Sequence, residues 1–144
     1  MTTSNPKPVY ISKDRKEEIA ELAETVADEH CPTGRVDPVL IAKAKGITLS
    51  FGRYEDAFDG LLEHCCGRFH IYCNLDRVER AGSPRARFTL SHELGHFYID
   101  EHRNALKAGR APSHPSFCDY ESKNPVEQEA DHFASCLLMP AKGC

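Results

Sequence analysis

His92 and His96 stand four residues apart, and Glu93 follows the first of them directly. On a helix each residue turns by about 100°, so the two imidazoles lie about 40° apart around the axis and converge on one point. Two imidazoles aimed together are the beginning of a divalent-metal site, and zinc takes such nitrogen donors in a tetrahedral set. Glu93 sits about 100° from His92, beside such an ion and not on it. There a carboxylate can take a proton from water that the ion has made acidic. This is the division of labour in H-E-x-x-H metallohydrolases.

A third protein ligand is required. His102 completes the ligand spacing of H-E-x-x-H-x-x-G-x-x-H. The position that must turn the chain there is Ile99, a β-branched residue unsuited to positive φ. On a continuing helix His102 falls about 120° from His96 and faces away. It is expected instead as an exposed cation near a helix C-terminus. The better source lies further on, where Val126, Ala130, Phe133, Ala134, Leu137 and Leu138 define one helical face. Glu127 falls inside that arc and Glu129 outside it. A carboxylate on a buried face needs a counter-charge. Glu127 is therefore the expected third ligand, with Glu129 as the alternative and a capping box after Asn124 as the competing explanation. Asp131, one turn beyond Glu127, is placed to orient a ligand. Nitrogen and oxygen ligation suits Zn²⁺ and tolerates Mn²⁺ or another divalent ion.

The surrounding elements must put these residues together. Ser12 opens a helix with Ile19, Leu22, Ala23, Val26 and Ala27 on one face, stopping near Pro32. Asp37-Pro38 starts a short helix closed by Gly46. Residues 47–51, 61–65 and 68–75 read as strands, the last two a hairpin around Cys66-Gly67. Ser83-Pro84 opens the H-E-x-x-H helix, expected to run to about Asp100. Ala86, Leu90, Leu94 and Phe97 form one apolar stripe on it, with Phe88 and Ile99 on the other, so it should be buried. Residues 101–123 read as a loop, and Asn124-Pro125 opens the last helix, ending at Met139-Pro140. The order predicts an α+β fold: a metal-bearing helix pair packed with N-terminal helices on a small, three-stranded mixed or antiparallel sheet. Residues 1–11 are expected as a loose lead-in and 12–144 as a single domain.

Composition narrows the function. The 144 residues carry a net charge of −4, which gives no basic footprint for nucleic acid. No apolar run reaches the length of a membrane span and no signal-peptide core is visible, so a cytoplasmic location is expected. The seven cysteines are odd in number and irregular in spacing, which favours reduced thiols. A structural zinc site among His30, Cys31, His64, Cys65, Cys66, His70 and Cys73 is disfavoured because no C-x₂-C pair exists.

The runs Arg87-Phe88-Thr89-Leu90-Ser91-His92-Glu93-Leu94-Gly95-His96-Phe97 and Glu127-Gln128-Glu129-Ala130-Asp131-His132-Phe133-Ala134-Ser135-Cys136-Leu137-Leu138-Met139-Pro140 resemble those of the ImmA/IrrE family of zinc metallopeptidases. The resemblance implies a thermolysin-like helix pair holding zinc through His92, His96 and a glutamate, with Glu93 as general base. The Glu127-x-x-x-Asp131 spacing is similar to the glutamate–aspartate pair of thermolysin-like enzymes, which favours Glu127 over Glu129. The substrates it implies are helix-turn-helix repressors. The chain departs from the family in having Asp131 where asparagine is usual. It also ends four residues after Pro140, so control is expected from outside the chain or through its own thiols.

The expected activity is that of a zinc-dependent endopeptidase acting on a repressor. The competing expectation is a non-catalytic regulator or toxin–antitoxin partner, whose acidic surface would dock onto a basic DNA-binding domain. His114, Tyr98 and Tyr120 are the candidates for stabilising an oxyanion, and an exposed hairpin strand is expected to take substrate by strand addition. Cys118 is expected as an ordinary loop thiol, against a role as a latch on the open metal position.

Overall fold

The computed structural model describes residues 11–110, 114–117 and 124–139. Among the described residues six helices and a four-stranded mixed sheet make an α+β fold. The expected lead-in up to residue 10, together with Cys118, Tyr120, Pro140 and Cys144, lies outside the described residues.

Capping sets the helix starts where the sequence placed them. Ser12 accepts a bond from the Arg15 amide and opens α1 (Lys13–His30), which buries Ile19, Ala23 and Val26. Asp37 accepts from Val39 and Leu40 at the head of α2 (Pro38–Ala44). The chain then enters β1 (Thr48–Gly52), β2 (Gly60–Cys65) and β3 (Arg68–Asn74). Between β2 and β3, Cys66 and Gly67 both have left-handed φ, 56° and 77°. That backbone matches the twist of a tight hairpin. A single short turn of helix, α3 (Leu75–Val78), was not legible in the sequence.

Ser83 caps α4 (Pro84–Tyr98) through the Ala86 amide. The helix stops two residues before the expected end. Ile99 leaves helical geometry at φ −74°, ψ 115°, and α5 (Asp100–Lys107) begins at once. The expected loop over residues 101–123 is thus corrected in two places: α5 occupies its start, and β4 (His114–Ser116) lies within it. Asn124 caps α6 (Pro125–Leu138) by accepting from the Val126 amide.

The sheet order is β1-β3-β2-β4, with β1 parallel to β3 and the other pairs antiparallel. Leu62 stands opposite Ile71, and Gly60 opposite both Cys73 and Ser116. The expected three strands become four because β4 pairs with Gly60–Leu62, and among the described residues β4 is the outer edge. Leu62, Ile71, Leu90, Leu94, Phe133 and Leu137 fill the space between sheet and helices and are all buried. Each such side chain stabilises the fold by about 1.5–3 kcal/mol relative to exposure. Helix α6 is clasped between α4 and α1. Among the described residues no helix is long and apolar enough to cross a membrane.

Candidate metal centre

The middle of α4 is buried without interruption from Thr89 to His96, because it meets α6 on one side and β2 and β3 on the other. His92, Glu93 and His96 therefore lie inside the protein. The Nε2 atoms of His92 and His96 are 3.2 Å apart. From α6, Glu127 places one carboxylate oxygen 3.2 Å from His92 Nε2 and the other 3.0 Å from His96 Nε2. Zinc–nitrogen bonds of about 2.0–2.1 Å at tetrahedral angles set donor atoms about 3.3 Å apart. The three donors fit that edge. Among the described residues this trio is the one group of His, Cys, Asp and Glu whose donor atoms gather closely enough to hold an ion. The seven His and Cys positions considered for a structural zinc do not form such a group.

Two glycines allow the approach. A Cβ on Gly95 would lie 3.2 Å from the Cα and O of Ala130 and from Phe133 Cβ, so any larger residue would require α6 to give by a few tenths of an ångström. A Cβ on Gly60 would lie 2.5 Å from Thr89 Cγ2 and 3.0 Å from Glu93 Oε2. Gly60 thereby lets β2 lie directly over Glu93. The segment that delivers Gly60 is held by the buried Asn74, whose amide donates to Glu55 O and Phe58 O and whose oxygen accepts from the Tyr54 amide. The buried Asp59 carboxylate beside it receives Arg77 and Arg85. Neither residue stood out in the sequence: Asn74 lay near the end of an expected strand and Asp59 between two expected strands.

The outer nitrogens of the two rings are held differently. His92 Nδ1 lies 2.7 Å from Asp131 Oδ1, the orienting role expected of Asp131. His96 Nδ1 lies 3.1 Å from His102 Nδ1. His102 is therefore not the exposed cation predicted: it is 7% exposed, and Ile99 turns α5 so that its ring faces His96. No positive φ was needed, because one extended residue breaks the helix with its own amide still bonded to Gly95 O. A readable signal existed: His102 and Leu106 share a face, with Asp100 and Glu101 in the first turn and Lys107 in the last. Glu129, the alternative ligand, stays outside the trio and pairs with His102 Nε2 at 2.8 Å and with Arg15 at 2.9 Å. Val126 is also corrected, from the buried face to a side chain 37% exposed.

Electrostatics separate the two inner rings. Burial disfavours charge on His92, but the bonds to Asp131 and Glu127 outweigh it and push the ring up to about 10. Burial pushes His96 down to about 3, against the pull of Glu127. Two rings facing through Nε2 at this distance cannot both carry a proton there. Burial also lowers His102, against the pull of Glu129.

Of the oxyanion candidates, Tyr98 turns its hydroxyl to His30 on α1, 3.4 Å away, and stacks its ring on Phe133. His114 is opposite Leu62 on β4, with its side chain outside the described residues, as is Tyr120. The described cysteines, Cys31, Cys65, Cys66, Cys73 and Cys136, are free thiols.

Residues 79–143 match the family model described as Peptidase_M78, the IrrE N-terminal-like domain. The resemblance to ImmA/IrrE proteins carried by the two motifs is thus borne out over the stretch that contains both. Comparison with curated proteins gave no match.

Proposed function

We propose that this chain, an IrrE-like peptidase domain over residues 79–143, is a zinc-dependent endopeptidase with His92, His96 and Glu127 as metal ligands and Glu93 as general base. The observation that carries the proposal is the convergence of two buried imidazole nitrogens and a half-buried carboxylate, with the buried Glu93 next to His92 on the same helix. A divalent ion held there supplies Lewis acidity, which polarises a carbonyl and lowers the pKa of water. Glu93 accepts the proton from the attacking water and returns it to the amine leaving from the cleaved peptide bond. Asp131 fixes the His92 ring so that Nε2 faces the ion. Among the described residues β4 covers the outer edge of β2 along Gly60–Leu62 and is itself outermost, so a substrate segment would add to the edge of β4.

The proposed substrate is a helix-turn-helix repressor, which the family resemblance suggests and to whose basic DNA-binding surface the chain's −4 charge is complementary. Purified protein should contain one equivalent of zinc or manganese. Incubated with a candidate repressor, it should yield fragments that a chelator abolishes, and Glu93→Gln should keep the metal while losing the cleavage. A Glu93→Gln protein that still cuts would refute the assigned base. Intact repressor held in a stable complex would point to a non-catalytic regulator instead.

A further inference from the structure

We infer that His102, Glu129 and Arg15 are positioning residues for the second imidazole of the metal centre, so that α1, outside the family-matched segment, is part of the site. The inference rests on the reading of His92, His96 and Glu127 as metal ligands.

Proton placement leads to it. His96 presents Nε2 to His92 and Glu127, so a metal bound there leaves the ring proton on Nδ1. That N–H faces His102 Nδ1 at 3.1 Å, which must then be the proton-free nitrogen of His102. The remaining proton of His102 is on Nε2, where it donates to Glu129 Oε1 at 2.8 Å. Glu129 in turn accepts from Arg15 Nε at 2.9 Å and Nη2 at 3.2 Å. Arg15 Nη2 also donates to Glu101, the neighbour of His102. Each donor meets an acceptor and the chain runs in one sense, from the ligand ring to an arginine that cannot lose its charge. An orienting partner that fixes the tautomer and ring plane of a ligating histidine is worth about 10–100-fold in metal affinity.

A purely architectural account explains less. The interior around His102 could be filled by an aliphatic side chain with no polar group to desolvate. Instead three elements, α5, α6 and α1, each contribute one polar group to a line that ends on His96. Arg15 and Glu129 are 114 residues apart in sequence, so the line exists only once α1 has docked on α6.

The test uses the full chain and four variants: His102→Leu, His102→Gln, Glu129→Gln and Arg15→Met. Zinc affinity is measured against a competing chelator, the visible spectrum of the cobalt-loaded protein reports ligand geometry, and thermal unfolding of the metal-free forms reports the fold. His102→Leu should weaken zinc by about 10–100-fold and shift the cobalt bands. Glutamine can accept at Oε1 and donate at Nε2, so His102→Gln should restore affinity to within a few-fold. Glu129→Gln and Arg15→Met should give smaller losses in the same direction. A His102→Leu protein with wild-type affinity and spectrum would overturn the assignment, and so would equal losses in the leucine and glutamine variants. If His102→Leu does not fold, unchanged affinity in both Glu129→Gln and Arg15→Met overturns it equally. Wild-type protein that takes up no metal removes the ligand reading itself, a result distinct from metal uptake that is insensitive to these variants.

Discussion

The two imidazoles of the centre occupy the same helix, yet they are supported in opposite ways. His92 leans on Asp131, a side chain 37% exposed and one helical turn from Glu127. His96 leans on His102, which is buried and backed by Glu129 and Arg15 from two further helices. One support is short, half-solvated and comes from α6, one turn beyond Glu127. The other is long, mostly dry and assembled from distant parts of the chain. The first support needs only the meeting of α4 and α6, whereas the second also needs α5 and α1 in place.

Removing what both supports serve should give the largest effect. Glu127→Ala leaves two imidazoles with no third protein donor, and zinc content after dialysis should fall from stoichiometric to near zero, an affinity loss beyond about 100-fold. Retained stoichiometric zinc would mean that another group is the third ligand.

Next in size is the seam that brings the two supports within reach. Gly95→Ala puts a methyl 3.2 Å from Ala130 backbone atoms, so the helices must part. Denaturant unfolding should show a loss of about 1–3 kcal/mol, typical of overpacking, accompanied by weaker zinc binding. Unchanged stability would show that the α4–α6 contact can yield without cost.

The supports can then be compared directly. Asp131→Asn keeps an acceptor for His92 Nδ1–H, so zinc affinity should drop by only a few-fold, less than for Asp131→Leu, near tenfold. Equal losses for both would mean that the carboxylate charge, and not the hydrogen bond, is what His92 needs.

Acid should separate the supports by the smallest effect. Burial raises the Glu129 carboxyl, but its bonds to Arg15 and His102 outweigh that and hold it below the ordinary 4.5. A carboxyl depressed in the folded state contributes stability that is complete above its unfolded value and lost as pH falls through the folded one. As pH falls below the ordinary 4.5 the metal-free wild type should therefore lose more stability than Glu129→Gln. Parallel pH profiles for the two proteins would show that the α1–α6 tie carries no linkage.

Much of the framework was legible because it is written locally. Ser12, Asp37, Ser83 and Asn124 each announce a helix start, and each caps one. The hairpin turn at Cys66-Gly67 also lies where strand alternation stops. Glu127 was distinguishable from Glu129 because angular position on α6 separates them. What stayed hidden was non-local. The three-residue β4 is too short to carry a period, and it exists through pairing with Gly60–Leu62. Ile99 gave no sign of breaking the helix, since an extended residue needs neither glycine nor proline. That single break moves His102 from solvent to the back of His96.

The sequence by itself determined which side chains could meet an ion, because helical rotation fixes the relative direction of residues one turn apart. It also determined that the fold would be helices on a small sheet, because capping residues and apolar periods act over a few positions. Tertiary structure alone decided how close α4 and α6 come, through the bare Cα of Gly95, and what stands behind each ring. Those are outcomes of packing between segments up to 114 residues apart, where no local rule of spacing reaches.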